Sequence, residues 1–249
     1  MKRVKNMTIE VIQKKILSKL MYTPIMKFNQ LWNKEGESNK FAYHLKKLEN
    51  AGLVEKTSNG YRLTTKGKEY VPYIKSRTGT EWKSPLVCIA LVVIDDKKNK
   101  VLMFQREKEP WHGYCGFHGG KLDSTEYILE SAQKSLLEET GLKGQLEFKG
   151  IFSSKTYNGK IDSNNNELFL SHQLFVIKAS HLKGKVIKKT RKGTNVWVAT
   201  DNIHKKNIFP NSPLLLKIAL SKKFRWIEAD RFQENNKFTE LRILKDITL

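Results

Sequence analysis

Gly120-Lys-Leu-Asp-Ser-Thr-Glu126, followed after seven residues by Lys134-Ser-Leu-Leu-Glu-Glu-Thr-Gly-Leu142, is the stretch that decides how this chain folds. Its spacing predicts a helix from about Tyr127 to Thr140, with Leu129, Ala132 and Leu136 inward and Gly141 ending it. Two adjacent acids, Glu138 and Glu139, fall in the last turn, where the helix dipole disfavours negative charge. That placement favours a functional cause over a solvated helix end, which stays the alternative. Upstream lies Val87-Cys-Ile-Ala-Leu-Val-Val-Ile94, the longest uninterrupted apolar run. A bilayer span needs about 20 such residues, so the run reads as a buried strand and no membrane is expected as a partner. A turn at 95–99 and a second strand, Val101–Arg106, lead into the glycine-rich segment. After the helix come strand-like segments at Leu146–Phe152, Leu168–Lys178 and Val196–Ala199, a short helix at Leu214–Leu220 and a strand-like tail. Strands around a central helix predict a mixed α/β sandwich.

The same stretch resembles the Nudix box, whose pattern is Gly, five residues, Glu, seven residues, Arg-Glu-aliphatic-any-Glu-Glu-any-Gly-aliphatic. Gly120, Glu126, Leu136, Glu138, Glu139, Gly141 and Leu142 stand on their positions with unbroken spacing, and the likeness covers about residues 85–220. The resemblance implies an α/β/α sandwich, a nucleotide-sized pocket and Mg²⁺ (or Mn²⁺) as cofactor. It also implies water attack on a phosphorus of a nucleoside diphosphate linked to another group. Carried over residue by residue, it makes Glu126, Glu138 and Glu139 the candidate catalytic carboxylates, with Glu138 and Glu139 holding the metal and Glu126 chiefly ordering the loop. Gly119, Gly120 and His118 become candidate ligand-binding residues.

Two positions depart from the pattern. Lys134 replaces Arg, losing the planar fork that can hold a carboxylate bidentately. Ser135 replaces a Glu that in the family holds the metal or serves as base. On a helix, positions 138 and 139 lie about −60° and +40° from 135, so the three share one face. A hydroxyl there is a weak ligand for hard Mg²⁺ and a poor base. A carboxylate from elsewhere, Glu167 or Asp162, is the candidate replacement. His172 reads as structural, Trp111 and Tyr114 read as packing residues with stacking on a base as the alternative, and Lys185–Lys192 reads as a charged hairpin tip on the surface.

The first third of the chain has a different pattern. A helix capped by Thr8 carries Ile9, Ile12, Ile16, Leu17 and Leu20. A short helix after Pro24 carries Phe28 and Leu31, and a third from Ser38 carries Phe41, Leu45 and Leu48 and ends at Gly52. Two strand patterns, Leu53–Lys56 and Tyr61–Thr64, join through Asn59-Gly60, a strong hairpin dipeptide, and a helix near Lys66–Ile74 follows. Helices and hairpin in that order resemble the winged helix-turn-helix domains of prokaryotic transcription regulators. The resemblance implies double-stranded DNA as partner. Asn39, Lys40, Tyr43, His44, Lys46 and Lys47 on the third helix and Arg62 on the hairpin are the candidate DNA-binding residues. A solvated face of a protein-interaction module and a purely structural role are the alternatives.

The expected architecture is thus an α+β two-domain chain: a winged helix-turn-helix over 1–77, a linker at 78–85, and a Nudix α/β/α sandwich over 86–249. Net charge is +21, with 46 Lys+Arg against 25 Asp+Glu. Such a balance suggests a polyanionic partner, although lysine-rich proteomes share it. Cys88 and Cys115 are too few for a disulfide framework or a four-thiolate zinc site, and a reduced, cytoplasmic setting is expected. The favoured function is a transcription regulator, expected as a homodimer, that senses a nucleotide-derived small molecule linked through a nucleoside diphosphate. Loss of the carboxylate at 135 suits a protein that must hold its ligand. The alternatives are an active Mg²⁺-dependent Nudix hydrolase targeted or dimerised by the winged helix, and a non-catalytic interaction protein.

Overall fold

The computed structural model describes residues 10–34, 36–71, 84–107, 111–163, 165–205, 207–235 and 237–249. The expected Thr8 cap, Ile9, residues 72–74 of the last helix and most of the 78–85 linker lie outside these residues. The chain divides into two compact units, Met1–Lys83 and Ser84–Leu249.

In the first unit α1 (Val11–Tyr22), α2 (Phe28–Trp32) and α3 (Ser38–Asn50) precede a hairpin of β1 (Val54–Thr57) and β2 (Gly60–Leu63), and α4 (Thr65–Tyr70) follows. Glu10 stands at the start of α1, its N–H donating to the Gln13 side chain at 2.9 Å. The apolar stripes converge as their spacing requires: Ile16, Leu17 and Leu20 pack with Leu31, Phe41, Leu45, Leu48 and Leu63 in one core. Gly60 is required at the hairpin, because its φ is +139° and a Cβ would meet the Met26 carbonyl oxygen at 2.6 Å. The Thr64 hydroxyl caps α4 by accepting from the Gly67 N–H at 3.0 Å. One expectation is corrected. His44 does not point outward; it is buried, completing an inward i, i+3, i+4, i+7 stripe with Phe41, Leu45 and Leu48.

The second unit is built on one mixed sheet. Its strands are β3 (Leu86–Asp95), β4 (Lys100–Arg106), β5 (Cys115–Gly116), β6 (His118–Lys121), β7 (Leu142–Asn158), β8 (Glu167–Gly184), β9 (Lys189–Thr190), β10 (Gly193–Ala199), β11 (Arg225–Glu234) and β12 (Lys237–Thr248). The main path runs β12-β11-β7-β8-β3-β4-β10-β9, with β5 on β4 and β6 on β3. The β11–β7 and β3–β8 pairs are parallel. Helix α5 (Ile128–Thr140) covers one face and α6 (Ser212–Leu220) the other. Strand alternation explains the continuous apolar run of β3. Ile89, Leu91 and Val93 pack with Ala132 and Leu136 of α5, while Ala90, Val92 and Ile94 pack with Leu215, Leu216 and Ile218 of α6.

Helix α5 ends at Gly141 in the left-handed conformation, φ 75°, as its sequence predicts. Leu129 departs from expectation and is exposed. The inward row is Ile128, Ala132 and Leu136 at i, i+4, i+8, and position 129 lies about 100° around from it. β7 and β8 run longer than predicted, because their register shifts keep the ladder paired through polar segments. Among the described residues, no helix is long and apolar enough to cross a membrane.

Candidate ligand cleft

The glycine pair enters the site through β6. Gly119 holds φ +109°, and a Cβ there would lie 2.2 Å from the Ile89 carbonyl oxygen, so no other residue fits against β3. This close approach brings the Gly119 N–H to the Glu139 carboxylate, 3.2 Å from Oε2. The other carboxylate oxygen accepts from the ammonium of Lys192, which also donates to the Gly119 carbonyl at 2.9 Å. Asn195 braces the same end of α5. Its Nδ2 donates to the carbonyls of Glu139 (2.7 Å) and Ile187 (2.8 Å). Its Oδ1 lies 2.9 Å from His118 Nε2, which makes that nitrogen the donor. Burial pushes the His118 pKa down, so the ring is neutral.

Among the other box residues, Glu126 has its own partner. Glu126 accepts from Lys134 at 2.8 Å, and this ammonium holds its carboxyl below the usual range. Lys134 thus ties the helix to the loop through one bond, where a guanidinium fork could make two. Glu138 is exposed and Ser135 is half-buried. Asp162 pairs with Arg242. Glu167, at the start of β8, is paired in the ladder with Asn158.

The expected Mg²⁺ ligand set is reduced but not absent, since Glu138 is exposed and has no ion pair among the described residues. The cation wants several oxygen ligands, yet Ser135 offers a hydroxyl and one Glu139 oxygen already faces an ammonium. Among the described residues no group of three or more His, Cys, Asp and Glu side chains is placed to hold a metal ion.

Beside this helix end opens a cleft of about 590 Å³, within the range of small-molecule sites. His118, Gly119 and Gly120 line it with Lys121, Lys192, His172 and Arg231, and its described lining contains no Asp or Glu. Trp111 and Phe209 form an apolar wall. Trp111 stacks on Phe238 at 5.1 Å between centroids and meets Phe169 and Phe209 edge-on. Its indole N–H donates to Gln233 at 2.7 Å. Those contacts hold its backbone at φ 67°, a strained value for an aromatic residue. Tyr114 packs in the same group, 5.4 Å from Phe209. His172 takes a structural position, accepting from Arg231 at 3.2 Å, and burial with the nearby Arg231 and Lys121 charges lowers its pKa to about 4.

Of the residues expected at DNA, Asn39, Lys40, Tyr43, Lys46, Lys47 and Arg62 are exposed, and His44 is not. Several already have intramolecular partners. Lys47 lies 3.2 Å from Glu10 and 4.7 Å from the Tyr43 ring centre, Lys46 lies 3.3 Å from Glu49, and Arg62 lies 2.6 Å from Glu55.

Sequence reasoning missed Lys192, Asn195 and Arg231. Lys192 is not part of a free surface tip, because the turn between β9 and β10 delivers it to Glu139. The only available hint was Gly193, which lets the chain turn at that point with φ 152°.

A helix–sheet–helix sandwich with a glycine loop feeding a Glu-bearing helix end defines a nucleotide-hydrolase type of fold. Residues 85–217, more than half of the chain, match the family model described as NUDIX domain. The chain belongs to the Nudix family. Residues 1–73 match the model described as "Methanogenesis regulatory protein FilR1, N-terminal domain", so a regulator-type domain precedes the Nudix domain. Among solved structures, a mutator MutT protein from Bacillus halodurans is similar, with 22% identity and a TM-score of 0.51 over 64% of this chain and 97% of that one. The Nudix domain of Shewanella oneidensis NrtR, complexed with ADP ribose, shares 19% identity with a TM-score of 0.44, covering 63% of this chain and 97% of that one. A MutT Nudix hydrolase from Burkholderia pseudomallei shares 19% identity with a TM-score of 0.42, covering 55% of this chain and 99% of that one.

Proposed function

We propose that the chain is a transcription regulator in which the Nudix domain (86–249) binds a nucleoside-diphosphate-linked ligand without cleaving it. On this reading residues 1–77 are a winged helix that binds double-stranded DNA, and 78–85 are the linker. The observation that carries the reading is the ammonium of Lys192 against Glu139. It supplies positive charge where a hydrolase would bind its metal, and Ser135 stands where the family pattern has a Glu. Lys192, Lys121 and the backbone around Gly119 and Gly120 favour a diphosphate electrostatically, and the aromatic wall offers apolar contact to the rest of the ligand. The regulator-type match over 1–73 and the helix-helix-helix-hairpin order support the DNA-binding half.

The functional unit on this reading is a cytoplasmic homodimer, since helix-turn-helix proteins commonly read two half-sites. The ligand regulates only if its affinity differs between DNA-competent and DNA-incompetent states. The test is to incubate the full chain with Mg²⁺ or Mn²⁺ and ADP-ribose, NAD(H), dinucleoside polyphosphates or dNTPs, with Ser135→Glu in parallel. Binding and thermal stabilisation without product are expected. Rapid phosphoanhydride cleavage by the unmodified chain would overturn the sensor reading and leave a hydrolase.

A further inference from the structure

Beyond the glycine loop, the cleft contains a feature that the family match does not cover, since that match ends at residue 217 and Arg231 lies on β11. Arg231 occupies the middle of this strand, opposite Thr156 on β7 and Leu241 on β12. Strand alternation puts it on the same face as Ala229, a core residue, and Gln233, the partner of Trp111. An apolar side chain is the ordinary occupant of such a position. A guanidinium there, 4% exposed, has given up most of its hydration.

The partners of Arg231 do not neutralise it. Nη1 donates to the Asn211 side-chain oxygen at 3.1 Å and Nη2 to His172 Nδ1 at 3.2 Å, and the charge lies 5.5 Å from the Phe238 ring centre. All three are uncharged, His172 because its pKa is about 4. Among the described residues Nε is buried without a partner, and so is the hydroxyl of the fully buried Thr156 paired opposite on β7. Asn211 stands at the start of α6, a helix of 9 residues, so Arg231 is held against the positive end of a helix dipole. Lys121 adds charge from the same cleft, and the described lining has no carboxylate. A buried cation beside a helix N-terminus, with a donor to spare and no counter-ion among the described residues, is an incomplete ion pair.

We infer that this end of the cleft is an anion subsite, in which Arg231, supported by Lys121 and α6, takes a carboxylate or phosphate of the ligand distinct from its diphosphate. This rests on the reading of the cleft as a ligand site and narrows the ligand class. The ligand is a nucleoside-diphosphate compound whose other part carries its own negative group. Planar recognition of that group suits the guanidinium fork and would use the idle Nε–H.

The test compares the full chain with Arg231→Met, Arg231→Lys and Lys192→Met. Inorganic phosphate is titrated at constant ionic strength, as are two matched pairs, UDP-glucose with UDP-glucuronate and NAD⁺ with NADP⁺. Phosphate affinity is expected to fall roughly tenfold or more in Arg231→Met and to change less in Lys192→Met. The more anionic member of at least one pair is expected to bind more tightly, an advantage that Arg231→Met abolishes and Arg231→Lys reduces. The ligand-free melting temperature of Arg231→Met is expected to match or exceed that of the parent, because the methionine carries no charge to desolvate.

Phosphate binding that survives Arg231→Met but is lost in Lys192→Met would overturn the subsite and leave the proposed function standing. Absence of phosphate binding by the parent would overturn it too, as would a large drop in the melting temperature of Arg231→Met with phosphate affinity intact. Arg231-dependent phosphate binding with no nucleotide bound would keep the subsite and remove the nucleotide reading.

Discussion

Replacing Lys192 with methionine tests the centre of the site, because it removes the charge and keeps most of the side-chain length. Two interactions disappear, the ion pair with Glu139 and the bond to the Gly119 carbonyl. The side chain of Glu139 is 12% exposed and that of Lys192 36%, so the pair is intermediate between surface and interior. Exposed pairs contribute about 0–1 kcal/mol, and breaking a buried one costs about 3–5 kcal/mol. Solvent screening on the lysine side places this loss near ~2 kcal/mol. For a unit spanning Ser84–Leu249, each kcal/mol shifts Tm by about 2–4 °C, so the Nudix transition is expected roughly 4–8 °C lower. The assay is differential scanning calorimetry at neutral pH, with and without millimolar Mg²⁺. The divalent ion is expected to leave the parent transition unmoved and to recover part of the loss in Lys192→Met, more fully when combined with Ser135→Glu. Strong Mg²⁺ stabilisation of the unmodified chain would refute the reasoning, because a cation would then compete with the ammonium. So would a Lys192→Met variant that melts with the parent.

The other predictions concern packing, backbone, pH and DNA. Leu136→Ala is expected to cost about 2–5 kcal/mol in urea unfolding, since Leu136 is fully buried, while exposed Leu129→Ala stays within about 0.5 kcal/mol. Gly119→Ala is expected to cost at least about 2 kcal/mol by the same measurement and to weaken nucleotide binding, because of its positive φ and its contact with the Ile89 carbonyl. His172 and His118 both have folded pKa values below the ordinary value of 6.5, so the unfolded chain takes up protons first as pH falls. Stability should therefore decline between pH 6.5 and about 4, the His172 share being at most about 3 kcal/mol, and His172→Gln should flatten the pH dependence of Tm. Lys46→Ala/Lys47→Ala is expected to reduce duplex affinity and to make the log–log salt slope shallower by about 0.9 per lost phosphate contact, read by fluorescence anisotropy. An unchanged slope would remove α3 from the interface.

What the sequence revealed and what it hid separate by distance along the chain. The spacing Gly120…Glu126…Leu136…Gly141 was readable because a helix expresses its pattern within a few residues, and the Val87–Ile94 run was readable because strand length and burial are local. Errors in local reading were errors of helical phase and of residue type. Leu129 and Ile128 both suit an inward position until packing selects one, and His44 looked like a recognition residue because polar side chains are usually outside. The site's working partners are non-local. Lys192 reaches Glu139 across 53 residues and Arg231 reaches His172 across 59, so no periodicity could join them.

Those pairings also change the meaning of the net charge. Composition could not distinguish a lysine-rich background from a polyanion site. Pairing distinguishes them side chain by side chain. Lys134 is neutralised by Glu126 and Lys217 by Asp246, and such residues add little to any ligand's attraction. Arg231 is buried among neutral groups, and Lys121 shares a described lining that contains no acid. Lys192 is only partly offset by Glu139, whose other oxygen is held by the Gly119 N–H. A cleft lined by Arg106, Lys121, Lys192 and Arg231, with no Asp or Glu among its described lining residues, is electrostatically suited to an anion. A metal ion would deepen that imbalance, and an anionic ligand corrects it.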